Sequence, residues 1–401
     1  MQKGAQYQAI LELISEIFKD KEPADNLINA YLRERKYIGS KDRRFITETV
    51  WNILRRRRRL TFDAQSDNPR RMLLYFLRNE DLDVLCEDSA YSLAPLSKEE
   101  KIWLAKENEM PYPPEVEAET PDWLFAKIKD FSLLKSLNEP AGADLRINKA
   151  TREIMLQKLR AEGLFFSPTP YSPIGIRSTE RVNLHNCIAY QEGEVEVQDE
   201  ASQIAAILSD VCPNHKTIDY CCGAGGKSLT IAFLNNNQGQ IEAHDIYWGR
   251  LEAIKKRAER LKINNIRIVK EVKDKDYTRF IIDAPCSGSG TWRRAPDAKF
   301  RLTPQQLAEL NKTQSEILET AYEHTRQGGR IIYFTCSILR EENEDVIEKF
   351  QQSHPDLKQV NLKNLWEQKL SGHYPSSDEY YLHLNPLMSG TDGFFVSILE
   401  K

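Results

Sequence analysis

From Lys216 to the C-terminus the chain alternates short apolar runs with long stretches of helical period, and that alternation leaves few folds open. Thr217 to Tyr220, Ile241 to Ala243, Ile266 to Val269, Phe280 to Ile282 and Arg330 to Phe334 are too short for buried helices and read as strands. The stretches between them are long enough for the helical crossovers that parallel strands require. An α/β fold with a βαβ parallel sheet is therefore expected. Upstream, Asp144 to Asn148 and Val195 to Val197 alternate like strands, with helical segments around Arg152 to Leu159 and Ser202 to Leu208. Before Asn138 no strand alternation occurs. Ile10, Leu11, Leu13, Ile14 and Ile17 recur at helical spacing, as do Leu27, Ile28, Tyr31 and Leu32, and then Phe45, Ile46, Val50, Trp51, Ile53 and Leu54. Further helices are expected over 70–79, 97–107 and 121–137. The boundary between an all-helical domain, 1–138, and the α/β remainder, 139–401, falls near Asn138 to Gly142.

A length of 401 residues suits two or three domains, and 40% apolar against 29% charged residues is enough to build real cores. The longest uninterrupted apolar run, Met72 to Leu77, is far short of the roughly 20 residues that span a bilayer. Charges from Lys3 to Asp25 leave no apolar signal-peptide core, so a cytoplasmic protein is expected. The net charge of −4 hides an uneven distribution. Residues 1–70 hold 15 Lys/Arg and 10 Asp/Glu, whereas 80–122 hold 3 and 13. Since phosphate binding depends on local charge, the total does not exclude a nucleic-acid partner.

Seven cysteines, an odd number without any CxxC pair, argue against a disulfide framework or a zinc site, and no metal is expected. Two of them stand where chemistry is commonly done. Phe280-Ile281-Ile282-Asp283-Ala284-Pro285-Cys286 runs from a strand into a Gly/Ser loop, and Arg330 to Phe334 leads through Thr335 into Cys336-Ser337. Ligands of open α/β sheets bind beyond the carboxyl ends of strands, so both thiols should face one crevice. Paired thiols suit methylation at C5 of cytosine. A thiolate adding at C6 turns C5 into an enamine-like nucleophile, and a second proton-handling group helps release the product. An acid such as Asp283, meeting the base near N3 and the amino group, could stabilise the charge formed on addition. A redox pair is the competing use, without motif support.

A third feature precedes these. Thr217 to Tyr220 leads into Cys221-Cys222-Gly223-Ala224-Gly225-Gly226-Lys227 and then a helix. Glycines at such a turn let backbone approach a ligand and aim helix N-terminal amides at it. The spacing fits neither GxGxxG nor a P-loop. Asp245, at the end of the next strand, could accept hydrogen bonds from ribose hydroxyls. The alternative is a tight turn beside a surface acid.

The segments Asp219 to Lys227, Asp283 to Gly290 and Thr335 to Ser337, followed by Glu341-Glu342-Asn343, resemble the motifs of the Sun-type RNA cytosine-5 methyltransferases, especially the bacterial enzymes that act on 16S ribosomal RNA. The likeness covers nearly the whole chain. It implies a NusB-like helical RNA-binding domain over 1–138, an RNA-binding extension within 139–205, and a Rossmann-like class I methyltransferase core over 206–401, ending in the strand signature Asp392-Gly393-Phe394-Phe395. It further implies that S-adenosyl-L-methionine sits on Cys221, Cys222, Gly223, Ala224, Gly225, Gly226 and Lys227, with Asp245 on its ribose. Asp283 would lie between methyl donor and base, Cys336 would be the nucleophile, Cys286 would assist product release, and Lys227 would reach toward the base. Two departures stand out: the family usually carries proline at Ala224, and for its adenine-side acid the nearest residue here is Glu271.

The implied partner is RNA, with no membrane, and a monomer is expected. Arg55 to Arg59 on one helix point every 100 degrees, so they read either as a solvated face or as phosphate contacts. Trp292-Arg293-Arg294 suits stacking and phosphate contact beside a splayed-out base, with Arg301 and Arg146 as weaker candidates. His185, His244 and His324 show no ligand spacing and read as structural or surface residues. Alternatives to a 16S substrate are transfer RNA or another ribosomal site, a non-catalytic RNA-binding assembly or antitermination factor, and DNA cytosine methylation, which would leave Thr335-Cys336 unexplained.

Overall fold

The computed structural model describes all residues but 90, 107–109, 181 and 185, so His185 lies outside the described residues. The chain forms two compact units: Met1–Glu139 with Trp292–Thr303, and Pro140–Thr291 with Pro304–Lys401.

Helices Lys3–Ile17, Ala24–Glu34, Ser40–Arg55, Arg57–Ala64 and Pro69–Phe76 build the first unit around Ile10, Leu13, Ile14, Val50, Ile53, Leu54, Met72 and Leu73, the apolar stripes read from the spacing. Two expected helices are interrupted. The helix entering the arginine run breaks at Arg56, so the five arginines straddle two helices. The stretch 121–137 is split because Lys129 adopts the left-handed conformation and Asp130 caps a new helix through Leu133 N. Twelve residues beyond the Cys286 turn, Trp292–Thr303, also belong to this unit, although sequence alone grouped them with the α/β part.

The second unit holds two sheets. β1 (Ala143–Ile147), β2 (Ser167–Pro168), β3 (Gly175–Ser178) and β4 (Val195–Val197) form a small antiparallel sheet in the order β2-β3-β1-β4. The larger sheet comprises β5 (Thr217–Asp219), β6 (Ile241–Ala243), β7 (Ile266–Ile268), β8 (Tyr277–Asp283), β9 (Thr325–Thr335), β10 (Lys358–Gln359), β11 (Leu382–Leu384) and β12 (Phe394–Glu400). Its order is β10-β12-β9-β8-β5-β6-β7, with β11 beside β12. Strands β5 to β9 pair in parallel, while β12 runs antiparallel to β9. Along β8 and β9, Phe280, Ile282, Ile331 and Tyr333 enter the core on one face and Ile281, Ile332 and Phe334 that on the other. A strand buried on both faces reads as a continuous apolar run, which is why these two were visible in sequence. From β5 the order steps to β6 and β7 on one side and to β8 and β9 on the other, so the switch point lies between β5 and β8.

Candidate functional site

Three turns meet beyond the carboxyl ends of β5, β8 and β9. The first follows Asp219. Gly225 caps the helix Gly226–Leu234 with φ of 78°, and a Cβ there would stand 2.8 Å from Ile254 Cγ1, so glycine is required. Arg257 donates to the Ala224 carbonyl at 2.6 Å, restraining the loop where the resemblance expects proline; nothing in the sequence marked that contact. Asp245 accepts from Gly223 N at 2.9 Å and Tyr247 N at 2.8 Å. Burial, with Asp219, Asp283 and Asp245 nearby, pushes the Cys221 thiol well up, and burial does the same to Cys222. Neither is therefore an activated nucleophile.

The second turn leaves β8 with Asp283, whose Oδ2 accepts from Lys227 Nζ at 2.6 Å. Lys227 is buried and stands 5.0 Å from the Phe394 ring centroid. The third leaves β9. Cys286 and Cys336, 50 positions apart in sequence, have their sulfurs 3.4 Å apart as free thiols. The Cys286 thiol is pushed well above its ordinary value, first by this hydrogen bond and then by burial. The two turns are locked together at backbone level, where Gly290 N donates to the Cys336 carbonyl at 2.9 Å. The arrangement provides two proton-bearing sulfurs, a carboxylate and an ammonium around one crevice.

One residue with no role read from sequence, Glu342, lies directly behind the thiols. Its position six residues after Cys336, inside Glu341-Glu342-Asn343, was the available signal. Several proposed RNA contacts are not available on the surface. Trp292 is 1% exposed, Arg293 is also buried, and both cluster with the helical unit. Arg146 is 0% exposed and donates to Asn148 at 2.8 Å, Gln198 at 3.0 Å and Thr230, its charge disfavoured by burial, which lowers its pKa to about 9. It is an internal strut. Arg301 pairs with Asp297 at 3.0 Å. His244 is buried with Nδ1 on the Tyr220 carbonyl, and His324 bonds the Asp274 carbonyl. Glu271 pairs with Lys273 at 3.3 Å and, with Lys270 and Ile268, lines a cavity of about 410 Å³.

The β5 turn fits a cofactor carrying ammonium, sulfonium and ribose groups. Asp219 Oδ1 is buried without a hydrogen-bond partner among the described residues, and a Cβ on Gly223 would meet nothing within 4 Å. No helix among the described residues is long and apolar enough to cross a membrane.

A Rossmann-like sheet with an acid-flanked glycine turn at its switch point defines the class: a methyltransferase using S-adenosylmethionine. Comparison with known proteins narrows it. Residues 205–400 match the family described as 16S rRNA methyltransferase RsmB/F. A probable ribosomal RNA small subunit methyltransferase B of Bacillus subtilis is 30% identical over 303 residues, covering 71% of this chain and 67% of that protein. The ribosomal RNA small subunit methyltransferase B of Pseudomonas syringae is 29% identical, covering 73% and 68%. The chain thus spans about two thirds of the length of these relatives. Among solved structures, PH0851 superposes with a TM-score of 0.79 at 23% identity, covering 100% of this chain and 98% of that one. NSun6 from Pyrococcus horikoshii, crystallised with SFG, gives 0.61 at 19%, covering 73% and 98%. The chain belongs to the RsmB/F family of RNA methyltransferases.

Proposed function

We propose that the protein methylates C5 of cytosine in RNA, with 16S ribosomal RNA as substrate, through a covalent adduct between Cys336 and C6. The observation that carries this reading is the pair of free thiols 3.4 Å apart at the ends of β8 and β9. The names of the curated relatives support the ribosomal substrate. The turn Cys221 to Lys227, with Asp245 and Asp283, would hold S-adenosylmethionine, which when bound supplies an electrophilic methyl group.

The chain's own residues do the rest. Cys336, as thiolate, bonds to C6 and drives electron density to C5. Asp283, held by Lys227, meets the base near N3 and the amino group, and the pair passes a proton to N3 as negative charge forms there on addition. Once C5 carries its new methyl, the C5 proton must leave and the C6–S bond must break. Cys286, whose elevated pKa keeps it a neutral thiol, gives its proton to the departing Cys336 sulfur and, as the thiolate so formed, takes the C5 proton, so that both thiols end protonated and the base is freed.

Incubation of Cys286→Ala and Cys336→Ala with RNA and S-adenosylmethionine tests the roles. A denaturant-resistant protein–RNA adduct is expected with Cys286→Ala and none with Cys336→Ala. The reverse pattern would sink the assignment, and bisulfite sequencing of RNA from a deletion strain checks the substrate.

A further inference from the structure

The two cysteine turns come from different strands, yet one side chain holds both. Glu342 sits in the 3-10 turn Arg340–Glu342 and is 0% exposed. Its Oε1 accepts from the amide of Ser287 at 2.8 Å and its Oε2 from the Ser287 hydroxyl at 2.5 Å. The same Oε2 accepts from the Ser337 hydroxyl at 2.5 Å. Ser287 directly follows Cys286, and Ser337 directly follows Cys336. Gln314, from the long helix Pro304–His324, donates to Oε1 at 3.1 Å and also to the carbonyl of Pro285, the residue before Cys286, at 3.0 Å. The backbone carbonyl of Glu342 accepts from Tyr333 OH at 2.8 Å, anchoring the turn to β9.

These side-chain partners are neutral: two hydroxyls, a backbone amide and a carboxamide. Burying a carboxylate among neutral donors is costly compared with burying a carboxamide of the same shape. Glutamine could keep most of the packing, although its NH2 group would confront a hydroxyl or the Ser287 amide. What glutamine lacks is the charge. At low effective dielectric a fixed negative charge next to two thiols acts on which of them ionises.

We propose that Glu342 is a positioning residue for the thiol pair: it ties the Cys286 and Cys336 turns into one unit and, by its charge, disfavours a thiolate on Cys286. The hydrogen-bonded geometry supplies the first half. The second half follows from sign, since Glu342 is among the charges that disfavour a thiolate on Cys286. The assignment rests on the proposed reading only in calling Cys336 the nucleophile.

The test uses the full chain without RNA. Alkylation of each thiol by iodoacetamide at pH 7.5 is followed by peptide mass spectrometry in wild type, Glu342→Gln and Glu342→Asp. In wild type Cys336 should react much faster than Cys286. Glu342→Gln should raise the Cys286 rate severalfold relative to that of Cys336, because losing the charge raises the thiolate fraction on Cys286. Glu342→Asp, which keeps the charge, should stay near the wild-type ratio. An unchanged ratio in Glu342→Gln, or a change in Glu342→Asp as large as in Glu342→Gln, overturns the proposal. Because alkylation needs no methyl transfer, failure of the C5-methylation reading would leave this result standing, and the converse also holds.

Discussion

Asp219 illustrates how a single residue can cost stability at the turn proposed to hold the cofactor. It closes β5, is fully buried, and accepts from Ser228 Oγ at 2.5 Å while its other oxygen lacks a partner among the described residues. Burial pushes its carboxyl up from 3.8 to about 6. An acid raised in the native state binds more protons there than in the unfolded chain, so stability falls as pH rises from about 4 to 6. Above that window the full cost is present, about 3 kcal/mol at 1.36 kcal/mol per pKa unit. Asp219→Asn removes the titrating group. The variant should gain on wild type in unfolding free energy by about 2.5 kcal/mol between pH 4 and pH 7.5, as measured by urea denaturation at each pH. A difference between the two proteins that does not change with pH would refute the assignment. The same substitution should weaken S-adenosylmethionine binding in calorimetry, because the β5 turn then offers the cofactor no carboxylate charge.

At the level of elements, the site depends on how closely the Cys286 turn approaches the start of β12. A Cβ on Gly290 would stand 2.1 Å from the Gly393 carbonyl oxygen, and Gly393 N donates to the Gly290 carbonyl at 2.8 Å. Backbone cannot step aside as a side chain can, so Gly290→Ala should cost about 1–3 kcal/mol, the usual range for overpacking. It should also abolish adduct formation in the Cys286→Ala background, and retention of wild-type stability by circular dichroism melting would contradict the contact. This contact gives physical content to Asp392-Gly393-Phe394-Phe395, which in sequence was only a signature. Strands β5 to β9 and the thiols at their ends could be read from apolar runs because both faces of the sheet are buried. β2, β3, β10 and β11 were not read: beyond being short, none stands in the alternation with helices that marked the parallel strands, and they exist through their partners. The residues around the thiols divide in the same way. Cys286, Cys336 and Asp283 follow strands and were visible, whereas Glu342 gains its meaning from two serines that only the folded chain brings beside it.

Across the whole molecule, part of the uneven charge between residues 1–70 and 80–122 is balanced inside the helical unit. Glu119, buried in the acidic stretch, accepts from Arg58 N at 2.7 Å and Arg59 Nε at 2.7 Å, Asp122 pairs with Arg58, and Glu100 with Arg70 at 2.8 Å. Arg55 donates to the carbonyls of Asn138 at 2.8 Å and Arg293 at 2.6 Å, and Arg57 lies over the Phe18 and Phe300 rings at 4.1 and 4.8 Å. No linear reading could pair 55–59 with 119 and 293, because the pairing is made by the fold. The segment Trp292–Thr303 is part of this balance: Asp297 accepts from Ala24 N at 3.1 Å, and Lys299, wholly buried, donates to Asn138 Oδ1 at 2.9 Å. Burial lowers the Lys299 pKa to about 7. The helical unit is therefore incomplete at Glu139 and is finished by residues that arrive after 152 intervening positions of the chain. A fragment 1–139 should melt well below the corresponding transition of the full chain. A synthetic peptide of residues 292–303 should raise its melting temperature in a concentration-dependent way. By mass action, peptide at 100 times its Kd stabilises by about 2.7 kcal/mol, or roughly 10 °C for a unit of this size. A peptide carrying both Asp297→Ala and Lys299→Glu should have no effect, since it loses the amide contact and puts a second carboxylate beside Glu119. If the fragment melts like the full chain, or the altered peptide rescues it equally, the segment is merely adjacent to the unit and does not complete it.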